Sequence, residues 1–132
     1  MVIYMSHWTV LTVKISNPNL NVLKMALDAL ARDLNSSVVE NFEVIGYSGR
    51  EKCIYGIPVK LPYGNGYGVM VKNGELVVVV DDHGAPLSAR EFMNKLVQYY
   101  SVIAVIIAAH QSGFRVQNID QTGDGVIIDL AW

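Results

Sequence analysis

The sequence predicts an α+β fold: a mainly antiparallel sheet of about six or seven strands with two helices on one face. Two segments show the spacing of apolar residues that is typical of helices, and the other segments are short, rich in β-branched residues and separated by turns. Consecutive strands joined by short turns form antiparallel sheets with helices on one side. The order of elements (strand, helix, four strands, helix, two strands) resembles a ferredoxin-like plan with an inserted hairpin. All of it fits a single domain of residues 1–132.

The longest predicted element is a helix of about seven turns over residues 87–113. Ser88, with Glu91 three positions later, forms a capping-box pattern at its start, and Gly113 provides a helix stop. The second half, residues 102–109, has no polar residue on any face. A helix of this kind must be covered on most sides, so we expect the sheet and a further surface to pack against it.

A shorter helix is predicted to begin at Asn17-Pro18, because Asn is a favoured capping residue and Pro fits the first helical turn. Leucines then recur at spacings of three and four, which predicts a helix with one face on the sheet. A coiled-coil seam is the alternative, but two heptads are too few to form one. The leucines of the stripe are Leu20, Leu23, Leu27, Leu30 and Leu34.

Seven strands are predicted from alternating or continuous apolar segments. The hairpin signal is strongest at Asn73-Gly74, which separates two apolar runs. Pro58 places its strand at an edge or a bulge. Five apolar residues in a row predict that residues 76–80 form a central strand buried on both faces. The predicted strands are residues 8–15, 38–47, 53–61, 67–71, 76–80, 114–119 and 126–130.

The composition excludes several classes of function. Charged residues make up 17% of the chain, against about 25% in average proteins, and the net charge of −2 comes without a basic run. This argues against nucleic acid, which proteins bind through clustered Lys and Arg. The apolar run at residues 102–109 is too short to span a bilayer, which takes about 20 residues. Cys53 is the only cysteine, which excludes an internal disulfide and a CxxC pair.

The composition also predicts partners and a location. An apolar fraction of 52% with few charges leaves less charged surface than usual, which indicates a second buried surface. We therefore expect a homo-oligomer or a protein partner, with no nucleic acid and no membrane. A well-packed monomer is the alternative. The sequence shows no signal peptide, so the expected location is the cytoplasm.

Several short motifs occur in the order found in one known family. They are Met5-Ser6-His7-Trp8, Gly66-Tyr67-Gly68 before the Asn-Gly hairpin, Leu96-Val97-Gln98-Tyr99-Tyr100, Gln111-Ser112-Gly113-Phe114-Arg115-Val116, and Asp124-Gly125 followed by Trp132. With these motifs the chain resembles the uncharacterised cyanobacterial and plastid family called hypothetical chloroplast reading frame thirty-five, a domain of unknown function. The resemblance covers most of the chain and implies no known activity. It also implies that Met5 is the natural start.

The chain departs from that family at three places. Gln98-Tyr99-Tyr100-Ser101 stands where the family has Gln-Arg-Tyr-Ala, so the Arg is absent. Asp81-Asp82-His83-Gly84 stands where the family has Asp-Trp-Trp-Gly, and the ending lacks an Arg pair before the final Trp. If those residues carry the function of the family, this chain performs it differently or not at all.

A polar stretch at the end of the predicted central strand, Asp81-Asp82-His83, is the best candidate for chemistry. Carboxylates and an imidazole are ligands for divalent metals. Side chains alternate along a strand, so Asp81 and His83 are expected to converge while Asp82 points away. Two ligands are too few, so His7 (or His110) must join them in a metal site. The alternative is a polar strand end that leads into a turn.

Three other patterns are weaker. Residues 120–125 resemble the first half of a calcium loop, but the twelfth position is Ala131 instead of Glu. The glycine-rich residues 64–68 have no following helix to hold a phosphate, so we interpret them as a turn. Cys53 needs a histidine base nearby to act as a nucleophile, and a buried structural thiol is the preferred interpretation.

Two hypotheses of function remain. The first is a non-enzymatic binding or assembly module, which buries its long helix and sheet against a copy of itself or another protein. The second is a small metal-dependent enzyme that uses Asp81, His83 and His7. The sequence assigns no cofactor. An open cleft joining the three polar side chains would favour the enzyme.

Overall fold

The computed structural model describes residues 7–122 and 125–132, without the side chains of Lys14 and Thr122. The start implied at Met5 and the tip of the calcium-like pattern, residues 123–124, lie outside the described residues. The elements are β1 (Trp8–Ser16), α1 (Leu20–Asp33), β2 (Val39–Ile45), β3 (Arg50–Pro58), β4 (Gly66–Lys72), β5 (Glu75–Asp81), α2 (Ala89–Gln111), β6 (Arg115–Thr122) and β7 (Gly125–Ala131).

The predicted α+β class and its antiparallel sheet are confirmed. Five strands form one sheet in the order β1-β5-β4-β3-β2, with every pair antiparallel. The strands β1 and β2, which α1 connects, therefore lie at opposite edges with three strands between them. A ferredoxin-like fold has the same split connection with one strand between, so this sheet is widened by one hairpin.

The last two strands do not extend the main sheet. Strands β6 and β7 pair with each other from Arg115–Ala131 to Thr122–Gly125 and form a separate two-stranded sheet. The seven predicted strands are thus divided between two sheets. As a result, the outer edge of β1 has no neighbouring strand in the main sheet among the residues that the structure describes.

Both helices pack on the same face of the main sheet. Their buried side chains form one core with inward-facing residues of β1, β3, β4 and β5. The leucine stripe of α1 lies in this core as predicted, except that Leu20 is exposed and Leu34 is half-buried. The opposite face of the sheet carries a smaller cluster, formed by Val44, Cys53, Val77 and Val79.

Two local predictions were wrong. Asn19 caps α1 instead of Asn17: its Oδ1 accepts the N–H groups of Asn21 and Val22, at 3.0 and 3.1 Å. Asn17 instead has a positive φ of 48° in the preceding turn. Pro58 lies neither on an edge strand nor in a bulge, because β3 runs between β4 and β2. It is the last residue of β3, a position where the missing backbone N–H disturbs the hydrogen bonding between strands least.

The predictions for the ends of α2 are confirmed. Ser88 and Glu91 form a reciprocal capping box. At the other end, Gly113 has a φ of 83°, and the N–H of Phe114 donates to the carbonyl of Ala109 at 2.9 Å. A positive φ at this position is what glycine tolerates best, and it ends the helix.

Tyr67 joins β4 to the start of α2. Its ring stacks on Phe92 with centroids 4.5 Å apart, and both side chains are fully buried. The Tyr67 hydroxyl donates to the carbonyl of Leu87 at 2.6 Å and accepts the N–H of the same residue at 3.1 Å. Burial raises the pKa of this hydroxyl above its usual value. One phenol thus satisfies both backbone groups of the residue that precedes the helix cap.

Replacing Tyr67 by Phe tests this junction. We expect Tyr67→Phe to lower the free energy of unfolding by about 1–3 kcal/mol, because it leaves both backbone groups of Leu87 without this partner. Urea denaturation measures the change. Tyr63→Phe is the matched control, since Tyr63 is at the surface, and it is expected to change stability by less than about 0.5 kcal/mol. Equal effects of the two substitutions would contradict the assignment.

Candidate functional site

The predicted metal ligands lie where β5 ends beside the start of β1. We call Asp81, Asp82, His83 and His7 the Asp81 cluster. Asp81 is fully buried, and its carboxylate accepts the N–H of His7 at 2.8 Å and the N–H of Tyr47 at 3.1 Å. These donors belong to the residue before β1 and to the turn between β2 and β3. The carboxylate therefore connects three segments that are distant in sequence.

Asp82 engages the start of the long helix. Its Oδ2 accepts the N–H of Ala89, the first residue of α2, at 2.6 Å, and its Oδ1 contacts Nδ1 of His7. Negative charge is favourable at a helix N-terminus, where the N–H groups have no partner within the helix. The imidazole of His7 is exposed on its other side. Asp82 thus links β1 to α2, whereas the sequence predicted that it would point away from the site.

His83 lies against aromatic rings. Its ring centroid is 5.4 Å from that of Tyr63, which is in turn 5.7 Å from Tyr47. His110, at the last turn of α2, is about 30 Å along the helix from Asp82 and cannot join the cluster. Among the described residues, no three His, Cys, Asp or Glu side chains come together as a metal would require. The metal site at Asp81, His83 and His7 stays a prediction. The side chains of the cluster that the structure does bring into contact are those of His7 and Asp82.

Trp8 covers this end of the sheet, which the sequence did not predict. Added Cβ atoms on Gly46 and Gly49 would lie 2.5 and 2.4 Å from the Trp8 ring. The indole therefore packs directly on the backbone of the turn between β2 and β3. His7 and Trp8, which are part of the motif near the start of the chain, both hold the edge strand β1 to that turn.

Cys53 is a structural thiol. It is 3% exposed and lies in the smaller cluster with Val44, Val77 and Val79. Burial, and after it the charge of Glu51, raises the pKa of the thiol to about 11. Because the thiolate is the reactive form, this side chain is not a nucleophile at neutral pH.

The second half of α2 is only partly covered. The helix has 23 residues and is about 34 Å long, whereas β5, with 7 residues, is about 23 Å long. Phe92 and Leu96 are fully buried in the first half, but Ala109 is the one buried residue of the apolar run at 102–109. Val105 is 44% exposed. The helix extends beyond the sheet, and the hairpin of β6 and β7 covers part of the excess.

An open cleft of about 840 Å³ lies between β1, α2 and β7. We call it the β1–α2 cleft. A smaller cavity of about 220 Å³ lies between α2 and the hairpin. Protein interiors are close-packed, so the hairpin rests on α2 without filling the space beside it. The cleft is lined by Leu11, Thr12, Val13, Arg90, Met93, Asn94, Lys95, Val97, Gln98, Ser101, Val102, Val105, Gly125, Val126 and Ile128.

The cleft is mainly apolar, with two cations at its rim. Arg90 and Lys95 are exposed and lie in the first half of α2, whereas Val102 and Val105 line the second half. Binding sites typically combine apolar walls with a few polar groups that fix orientation. The sequence predicted an uncovered helix face but not this cleft, because the nearness of β1 and β7 to α2 depends on tertiary packing.

The helix α2 meets the criteria of length and composition for crossing a membrane, and 17% of its most apolar window is buried. These criteria are weak grounds for a membrane span, since core helices satisfy them too. The first two turns of α2 carry the charged residues Arg90, Glu91 and Lys95. The same turns are packed on the sheet by the buried side chains of Phe92 and Leu96.

Most of the chain matches a protein family. A family model described as "Protein of unknown function (DUF1257)" matches residues 29–128 of the 132-residue chain. The matched region includes both carboxylates of the Asp81 cluster and all of α2. No curated protein and no solved structure matches the chain.

Removing the Asp81 carboxylate tests its structural role. We expect Asp81→Ala to lower the free energy of unfolding by about 2–4 kcal/mol, because the N–H groups of His7 and Tyr47 lose a charged acceptor in a buried site. Thermal and urea denaturation measure the loss. Asp129→Ala, at an exposed carboxylate, serves as the control and is expected to be close to neutral. A neutral Asp81→Ala would show that the carboxylate does not hold these segments.

The raised pKa of Cys53 predicts its reactivity and a dependence of stability on pH. The folded protein should react slowly with maleimide at pH 8 and at a normal rate in denaturant.

The thiol has a higher pKa when folded (about 11) than its ordinary value of 9.0, so the unfolded chain loses its proton first. Stability from this group is complete below pH 9 and falls as the pH rises towards 11. Fast alkylation of the folded protein at pH 8, or an unchanged slope in Cys53→Ala, would contradict this.

Proposed function

This chain belongs to the DUF1257 family of proteins of unknown function, and we propose that it is a non-enzymatic binding or assembly module that acts through self-association or a protein partner. The observation that carries the proposal is the partly covered, apolar second half of α2. Ile106 and Ile107, in the middle of this run, are both only half-buried by their own chain. An interface with another protein surface would complete their burial.

The hairpin adds further exposed apolar side chains beside α2. Ile119 is 46% exposed, and Trp132 is 81% exposed even though its ring stacks on Phe114 with centroids 4.0 Å apart. Burying apolar surface contributes about 25 cal/mol per Å², and exposed apolar groups concentrated in one region mark interaction sites. We call Val105, Ile119, Leu130 and Trp132 the α2–hairpin surface.

Two other features support the further parts of this proposal, that the module is cytoplasmic and that it does not bind nucleic acid. Cys53 is a free, buried thiol, which suits a reducing compartment. The net charge of −2 gives no basis for nucleic-acid binding. Within the wider family, we also propose kinship with the protein called hypothetical chloroplast reading frame thirty-five. It is supported by the motifs at residues 96–100 and 111–116, which lie inside the matched region.

Self-association is tested by measuring the mass in solution. We expect light scattering to give a mass above the 14.6 kDa of one chain at micromolar concentrations. The double substitution Val105→Glu with Ile119→Glu is expected to shift the mass to that of the monomer, since two carboxylates would be buried without partners. Leu20→Glu is the matched control because Leu20 is equally exposed but lies on α1. It should leave the mass unchanged.

The partner route is tested in the same material. If the protein is monomeric at all concentrations, chemical crosslinking in its own cells should recover a partner that the double variant loses. A monomer that crosslinks to no partner, or whose crosslinks survive the double substitution, would contradict the proposed function.

A further inference from the structure

We propose that the β1–α2 cleft binds an extended, acidic segment of another protein, which adds to the free edge of β1 as a sixth strand. This rests on the proposed function and gives its partner a chemistry. Three observations carry the proposal: the direction of the backbone groups of β1, the difference between the two edges of the sheet, and the charges at the cleft.

The first observation is that the backbone of β1 faces the cleft. Leu11, Thr12 and Val13 are consecutive and all line it. Side chains alternate between the two faces of a sheet, so three consecutive residues line one cleft only where it meets the edge of the strand. The cleft therefore opens onto the hydrogen-bonding edge of β1.

The pairing of β1 shows which groups point outwards. The N–H of Asp82 donates to the carbonyl of His7, and Thr9, Leu11 and Val13 follow at alternate positions in a regular register with β5. In an antiparallel pair, hydrogen-bonded positions alternate with non-bonded ones. The N–H and C=O groups of the intervening residues, which are Trp8, Val10 and Thr12, therefore point away from β5 towards the open edge.

The second observation is that the two edges of the sheet differ. The other edge strand, β2, carries Glu40 and Glu43, and Asn41 has a φ of 53° that interrupts its pairing with β3. Charges and irregular backbone are the usual means by which proteins prevent pairing at an edge. In β1, residues 8–13 are uncharged and regular. Lys14 and the register shift between Val13 and Ser16 come after the three residues of β1 that line the cleft. The stretch of β1 that lies in the cleft is therefore without such protection.

The cleft has the shape and the lining for an added strand. One face of a strand beside β1 would meet Met93, Val97 and Val102 of α2, with Val126 and Ile128 of β7 on the far wall. In strand addition, main-chain hydrogen bonds give affinity, and pockets for alternate side chains give specificity. The occupant should therefore carry apolar side chains at alternate positions.

The third observation is the positive charge. Arg90 and Lys95 both line the cleft, and the ion pairs found in the described part of the chain (His7–Asp82, Lys24–Asp28 and Arg50–Glu43) lie elsewhere. The charge of Glu91 interacts with that of Lys95, but Glu91 is not part of the lining, and the two cations leave the cleft positive. A segment with Asp or Glu at the remaining positions would complement these cations. A second copy fits less well. Its β1 would bring two more cations, and its β2 is interrupted at Asn41.

A random decapeptide library displayed on phage and selected against the full chain tests the proposal. We expect enriched peptides to alternate apolar residues with Asp or Glu. Synthetic versions should bind with micromolar affinity in fluorescence polarisation. The substitution pair Arg90→Glu and Lys95→Glu should weaken them about tenfold. Failure to enrich any peptide, or enrichment of basic peptides, would overturn the proposal.

Thr12→Pro isolates the backbone contact. The N–H of Thr12 points away from β5, so proline at this edge position leaves the pairing with β5 intact and removes a donor that the added strand needs. We expect at least about a tenfold loss of peptide affinity, with Thr12→Val within about twofold of the natural protein because it keeps the N–H. Unchanged binding to folded Thr12→Pro would overturn the proposal.

Further results decide the outcome beyond the peptide affinity of that variant. If Thr12→Pro does not fold, peptides that are N-methylated at alternate residues replace it. Methylation at the positions whose N–H groups pair with β1 should abolish binding, and methylation at the positions between them should not. Equal effects of the two sets would overturn the proposal. If Thr12→Pro instead changes the mass of the protein without peptide, the occupant is a second copy, and the acidic foreign segment is wrong. Self-association through the α2–hairpin surface without peptide binding would remove this inference and leave the proposed function intact.

Discussion

The difference in length between α2 and the sheet decides which surfaces of this protein are covered. A 23-residue helix cannot be hidden by strands of seven to nine residues, because a helix of that size is about 10 Å longer than the strand β5 on which it lies. The chain holds the first half firmly, through the stacked pair of Tyr67 and Phe92. The second half is left to a two-stranded hairpin that covers one side. The exposure of Val105 in this second half follows from the geometry.

A single carboxylate organises the opposite end of the sheet. Asp81 is the one charged residue that is buried in the described part of the chain, and its carboxylate accepts two backbone N–H groups. A carboxylate bound in this way holds β1, β5 and the turn between β2 and β3 together, and Trp8 seals the same turn. The polar residues after β5 therefore have a structural explanation that needs no metal.

The sequence predicts this fold best where the signal is local. The capping box at Ser88, the stop at Gly113 and the Asn73-Gly74 hairpin each depend on residues within a few positions of one another, and all three are confirmed. The partners of Asp81 lie 74 and 34 positions away, so periodicity gives no sign of them. The same holds for β1 beside β5, and for the cleft, whose walls come from three separate parts of the chain. Asn17 and Asn19 are both good capping residues, and the contact of the Asn19 N–H with Tyr100 at 2.8 Å is again non-local.

Three unsatisfied features meet at the β1–α2 cleft. Among the residues that the structure describes, the backbone groups at the edge of β1 have no neighbouring strand, and the apolar wall of α2 is open. The charge of Lys95 interacts with that of Glu91, so Glu91 offsets only part of the positive charge that Arg90 and Lys95 bring to the rim. Each is common on its own at a protein surface. One extended acidic segment would satisfy all three, whereas a flat apolar surface would cover the helix and leave the strand edge and the cations as they are. A small amphipathic anion would satisfy the helix and the cations but not the row of N–H and C=O groups at alternate residues. The edge of β1 therefore distinguishes a strand from the other occupants that the cleft admits.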